Sequence, residues 1–198
     1  MKKKIAFVLM LAVVLLAAFG GTYKSLKDSR QEVLQLYREG NAADESADAD
    51  ASVTVIDPGF SVRNAVNDSA DKIRNLLKLA QKYSAENAQL DSLRQGIEEQ
   101  LQKLDLENAE QANPEILKKL YALADTLTAE LEENTDLEAA DQKYPGTLQV
   151  DLLSLRDEIR HAQYNEQAQE WNKRLGKFPA SLVNRIFPQR PLAVYEEL

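Results

Sequence analysis

The sequence predicts an all-α protein: an N-terminal transmembrane helix followed by an antiparallel four-helix-type bundle of long helices. Three observations carry this. Glycine (7) and proline (6) are scarce in 198 residues, so the turn clusters of an all-β fold are missing. Apolar residues recur at helical spacing through most of the chain. An uncharged apolar run opens it.

That run, Ile5–Tyr23, follows Lys2, Lys3 and Lys4. As a helix it spans roughly 28 Å, close to the roughly 30 Å hydrocarbon core of a bilayer. Residues 1–23 are therefore expected to anchor the chain in the bilayer, with Tyr23 at the interface. The same features fit a cleaved signal peptide, with Ala18-Phe19-Gly20 as a small-x-small site. Both readings stand at this level; the second gives an exported soluble binding module. No cysteine is present, which excludes a lipoprotein anchor, disulfides and thiolate chemistry. Lys24, Lys27, Arg30 and Arg38 balance the first three lysines, so the positive-inside rule does not fix an orientation. The expected location is the bacterial cytoplasmic membrane, single-pass; Lys2–Lys4 favour a cytoplasmic N-terminus with the bulk of the chain outside the cytoplasm, and the basic residues beyond the run leave that orientation open.

Residues 24–192 are expected to form the bundle. From Thr22 to Gly40, Leu26, Val33, Leu36 and Tyr37 share a face and continue the first helix outward. Residues 41–58 are small and acidic without helical period, and read as a flexible insert. From Phe60 to Leu106 one long helix is expected. Leu76, Tyr83, Leu90, Ile97 and Leu104 recur every seven residues, Asn87 and Arg94 interrupt the alternate positions, and Gly96 is a candidate break. Asn113-Pro114-Glu115 reads as a helix start, with Leu117, Leu120, Ala124, Leu127 and Leu131 on one face. Tyr144-Pro145-Gly146 ends that unit. A last long helix is expected over 147–176, with stripes Leu152, Leu155, Ile159, Ala162 and then Tyr164, Ala168, Trp171, Leu175, Phe178. Pro179 stops it, residues 181–187 form a short turn, and 193–198 are a tail.

The C-terminal third resembles the LemA family of bacterial membrane proteins. Tyr144-Pro145, Tyr164-Asn165 and Trp171-Asn172 one heptad apart, Phe178-Pro179, Leu182–Phe187, Pro188 and Pro191 carry the likeness. The apolar start with Thr22-Tyr23-Lys24-Ser25-Leu26 and the stretch Asn75-Leu76-Leu77 to Tyr83 and Ala85 extend it. Trp171 stands where the family usually has a second tyrosine, and residues 41–58 are extra. The resemblance implies a single N-terminal span and a four-helix-type bundle, and no established activity.

No motif points to an enzyme, a cofactor or a metal. His161 is the single histidine, without a nucleophile motif around it. Asp44, Glu45, Asp48 and Asp50 lack the glycine and terminal glutamate of a calcium loop. Lys173–Lys177 lacks the glycines of a phosphate loop. The net charge of −8 opposes nucleic-acid binding and sets up a surface that anionic headgroups repel. The candidate site is the series Tyr164, Trp171 and Phe178. Seven residues apart, they are expected on one face, either as core packing or as a docking surface for an envelope protein.

Overall fold

A computed structural model describes residues 2–40, 60–84, 87–108 and 113–198, without the side chains of residues 2–9, 11, 12 and 15. The insert expected at 41–58 lies outside the described residues. Those described form seven helices and no strand: α1 Lys2–Glu39, α2 Val62–Tyr83, α3 Ala88–Lys103, α4 Asn113–Glu132, α5 Tyr144–Arg160, α6 Gln163–Leu175 and α7 Ala180–Ile186.

The helix expected over 60–106 is two helices. Asn87 divides them: its side chain accepts hydrogen bonds from Gln89 N at 3.0 Å and Leu90 N at 3.1 Å, so it opens a new helix instead of interrupting one. The heptad series runs through this corner because both helices bury the same stripe; Leu76, Leu90 and Ile97 are all fully buried. Gly96, the expected break, stays inside α3 facing Leu123 of α4. The helix expected over 147–176 is also two, and it starts at Tyr144, with Pro145 in the first turn, where proline loses no hydrogen bond. It breaks at His161-Ala162, where Ala162 is extended (φ −60, ψ 134).

Helices α2, α3, α4 and α5 make the four-helix bundle. Lys82 meets Asp141, just ahead of α5, at 2.9 Å, and Lys72 pairs with Asp151 further along, so α2 and α5 are antiparallel. Gln89 at the start of α3 bonds Glu130 at the end of α4. Arg63 at the start of α2 reaches Glu107 beyond α3 at 3.4 Å. The connectivity is therefore up-down-up-down. Leu117, Leu120, Leu127 and Leu131 of α4 are fully buried against Ile73 and Leu76 of α2 and their neighbours; each such leucine contributes about 1.5–3 kcal/mol. One polar contact crosses this core: Ser69 Oγ and Tyr121 Oη lie 2.8 Å apart. At the far end, Tyr83 donates to Asp141 at 2.6 Å and accepts from Glu138 N at 3.2 Å, pinning the α4–α5 loop to α2.

Helix α1 stands outside the four. It ends on Gly40, whose φ of 75° and N–H to Leu36 O (3.0 Å) make a left-handed cap that glycine adopts without Cβ strain. Its outer half buries Leu26, Val33 and Tyr37 against α6, α7 and the start of α2. Among the described residues no helix is long and apolar enough to cross a membrane. Much of the stretch expected to do so has side chains outside that description.

Candidate functional site

The expected aromatic series divides. Tyr164 and Trp171 are 2% and 3% exposed, whereas Phe178 is 80% exposed. The heptad spacing holds only while the chain stays helical. α6 ends at Leu175, and the turn through Gly176 and Lys177 swings Phe178 away from the face of the other two.

The buried pair packs on α1. Trp171 Nε1 donates to Leu26 O at 3.4 Å, and the Arg30 guanidinium sits 5.9 Å from the indole centroid, within cation–π range. Arg174, a turn along α6, donates to Ser25 Oγ at 2.7 Å and Ser29 Oγ at 2.8 Å. Tyr164 meets Tyr37 of α1 at 5.3 Å between ring centroids. Contacts 164–37 and 171–26 show that α1 and α6 run antiparallel.

Each asparagine that follows an aromatic has a separate task. Asn165 Nδ2 donates to Ile159 O at 2.8 Å and Arg160 O at 3.0 Å, adding a side-chain donor to carbonyls in the last turn of α5. Its Oδ1 accepts from Tyr195 N at 2.8 Å. Asn172 makes a two-point pair with Leu192, Nδ2 to O and N to Oδ1, both 2.8 Å. Tyr164 Oη adds a bond to Ala193 O at 2.8 Å. One face of α6 thus holds the final segment by its backbone.

Residues 193–198, expected as a tail, are therefore tied to the bundle and bury Tyr195 and Leu198 in its core. Leu192, Tyr195 and Leu198 are at most 4% exposed. Tyr195 stacks on Tyr37 (6.4 Å, 20°) and lies 6.2 Å from Tyr164. Burial pushes the hydroxyls of Tyr37, Tyr164 and Tyr195 above the ordinary tyrosine range, and Tyr37 raises the other two further. Such hydroxyls stay protonated and are poor nucleophiles. Asn113, expected as an N-cap, is instead fully buried and exchanges two hydrogen bonds with the Asp105 backbone. Only the pairing of Tyr-Asn with Trp-Asn hinted at this clamp in the sequence; the segment it grips has no periodic pattern.

The family model described as LemA family matches residues 60–197, more than half of the chain. The chain belongs to the LemA family. No curated protein and no solved structure matches it. The LemA match takes in α2 to α7 and almost all of the clamped segment, so Tyr164-Asn165, Trp171-Asn172 and Phe178-Pro179 all fall within it. Helix α1 precedes the LemA match, although it supplies Leu26 and Tyr37 to the same interface.

His161 of this LemA chain is exposed. Its Nδ1 lies 2.9 Å from Asp157 O and 3.4 Å from Asp157 Oδ1. Among the described residues, no group of three or more histidines and carboxylates is placed to hold a metal.

Proposed function

We propose that this LemA-family chain is a membrane-anchored, non-catalytic helical bundle. On this reading the apolar stretch of α1 stays in the bacterial cytoplasmic membrane and the bundle serves as a scaffold for another envelope protein. The observation that carries it is the continuity of α1. One unbroken helix, Lys2–Glu39, includes the apolar run Ile5–Tyr23 and then buries Leu26, Val33 and Tyr37 in the folded body. An anchor joined this way is stiffly coupled to the bundle, since an α-helix has no free joint.

The same continuity disfavours cleavage after Ala18-Phe19-Gly20. That site lies within α1, and Phe19 packs against the core cluster. The non-catalytic part rests on the roles of the polar clusters. Lys82, Tyr83, Glu138 and Asp141 tie a loop to α2, and the α6 asparagines hold backbone. All are engaged in holding the fold together.

Intact mass and alkaline extraction of membranes test the anchor. The expected result is a full-length chain that stays with the membrane. A mature chain that starts near Gly21 and is released by alkali refutes it.

A further inference from the structure

We infer that the α6–α7 corner and α7 itself rest on the bilayer surface as a second, amphipathic membrane contact beside α1. This deepens the membrane-anchored reading and rests on it.

The surface is apolar where water would be its alternative. Phe178 (80% exposed), Ile186 (61%), Phe187 (53%) and Leu182 (38%) turn outward. Leu182 and Ile186 are four apart on one face of α7, while Ala180 and Val183 bury on the other. Large apolar side chains exposed together on one short helix and the corner before it mark an interaction surface.

Its position identifies the occupant. The Phe187 ring lies 5.1 Å from that of Tyr23, centroid to centroid. Phe178, Pro179 and Ala180 line a surface depression of about 260 Å³ together with Gly21 and Thr22. α7 therefore sits at the level where the apolar stretch of α1 ends. Below that level α1 exposes Met10, Val13, Val14 and Leu16, apolar side chains distributed around the helix. If α1 spans the membrane, α7 is at headgroup height, where aromatic side chains are favoured.

Charge agrees. Residues 171–195 contain Lys173, Arg174, Lys177, Arg185 and Arg190 and no acidic residue, in a chain of net charge −8. On α1 near the same corner Lys24 and Lys27 are exposed, with one acid, Asp28, beside them. Lys177 and Arg185 flank the patch and are exposed, so their stems can lie along it while their charges reach lipid phosphates. The acidity that repels anionic headgroups belongs to the bundle, and this corner reverses it. An apolar slab beneath an anionic layer, at the height that α1 fixes, is the partner that suits all three features. Two attachments would also set the tilt of the α1–α6 pair against the bilayer, which a single span by itself does not fix.

The chain has no cysteine, so single cysteines report cleanly. Leu182→Cys, Ile186→Cys, Met10→Cys and Val150→Cys in the full chain would carry nitroxides in vesicles of phosphatidylethanolamine and phosphatidylglycerol. Collision with oxygen and with a water-soluble nickel chelate gives the immersion of each. The expected order is Met10 deepest, 182 and 186 at the interface, and 150 in water. Lys177→Glu with Arg185→Glu should move labels 182 and 186 toward water and leave Met10 in place. Each lost charge weakens attachment to an anionic surface roughly fivefold. Labels at 182 and 186 that match 150 while Met10 stays immersed overturn the inference and leave the anchor standing. A Met10 label in water overturns the anchor reading itself. Labels at 182 and 186 shielded from both agents would mean that protein covers the patch, which also overturns the inference. Immersion unchanged by the charge reversals removes the role given to Lys177 and Arg185.

Discussion

Trp171→Ala tests the α1–α6 interface most directly. The indole is 3% exposed, bonds Leu26 O, and has the Arg30 guanidinium 5.9 Å from its ring. Truncation leaves a ring-sized cavity, which costs about 3–5 kcal/mol, because neighbours on two helices cannot close it fully. The cation–π contact adds about 1 kcal/mol. For a chain of this size about 1 kcal/mol corresponds to ~2–4 °C in Tm, so a fall of roughly 6 °C or more is expected in a circular-dichroism melt. Trp171→Phe keeps most of the ring and loses the hydrogen bond, and should fall between. Phe178→Ala is the internal control: at 80% exposure it should change stability by less than about 0.5 kcal/mol. Because Trp171 is the one tryptophan, native emission reports it alone and should be blue-shifted and poorly quenched. Red-shifted, readily quenched emission with an unchanged Tm for Trp171→Ala would refute the buried assignment and return this face to partner binding.

Three further outcomes are expected. Asn172→Ala removes both bonds to Leu192 and should cost about 1–3 kcal/mol. Hydrogen exchange should show lost protection over 192–195 while α2–α5 stay protected, and uniform loss would contradict the clamp. At high pH the buried tyrosines matter: burial pushes Tyr121 up to about 12, and it raises Tyr37, Tyr164 and Tyr195 as well. The unfolded chain ionises first, near pH 10, so this stability is complete below about pH 10 and is lost as pH rises toward 12. Tyr121 alone accounts for about 3 kcal/mol, and phenolate absorbance should rise together with loss of helix; ionisation of these tyrosines with the helix intact would contradict it. Deleting residues 41–58, which are small and acidic, should leave the Tm of the full chain nearly unchanged, and a large loss on deletion would sink the idea that the insert is dispensable.

Much of the candidate site was legible, but not its division of labour. The Tyr-Asn and Trp-Asn pairs stand out in the sequence as residues seven apart. That spacing placed Tyr164 and Trp171 on one face because both lie within α6. It failed for Phe178, which lies beyond the helix end at Leu175. The clamp on residues 192–195 left almost no trace, since Asn172 recognises backbone atoms, which every residue has. The basic character of residues 171–195 was present in the letters all along. Its meaning depends on Phe187 lying beside Tyr23, a contact between residues far apart in the chain.

The sequence by itself determined the helical class, the apolar start of α1, the buried stripes of α2–α5 and the likeness to LemA. These follow from composition and from period, which are local properties of a chain that must bury one face of each helix. Tertiary structure alone decided where two long helical stretches break. A heptad stripe continues unchanged whether α2 runs straight into α3 or folds back on it, because both arrangements bury the same side chains. The Asn87 cap and the Asn165 grip on the end of α5 choose the folded-back bundle and the α5–α6 corner. Tertiary structure also decided that the last residues are tied to the bundle: Tyr195 is buried by Tyr37 and Tyr164, partners on two other segments that only the completed fold brings together.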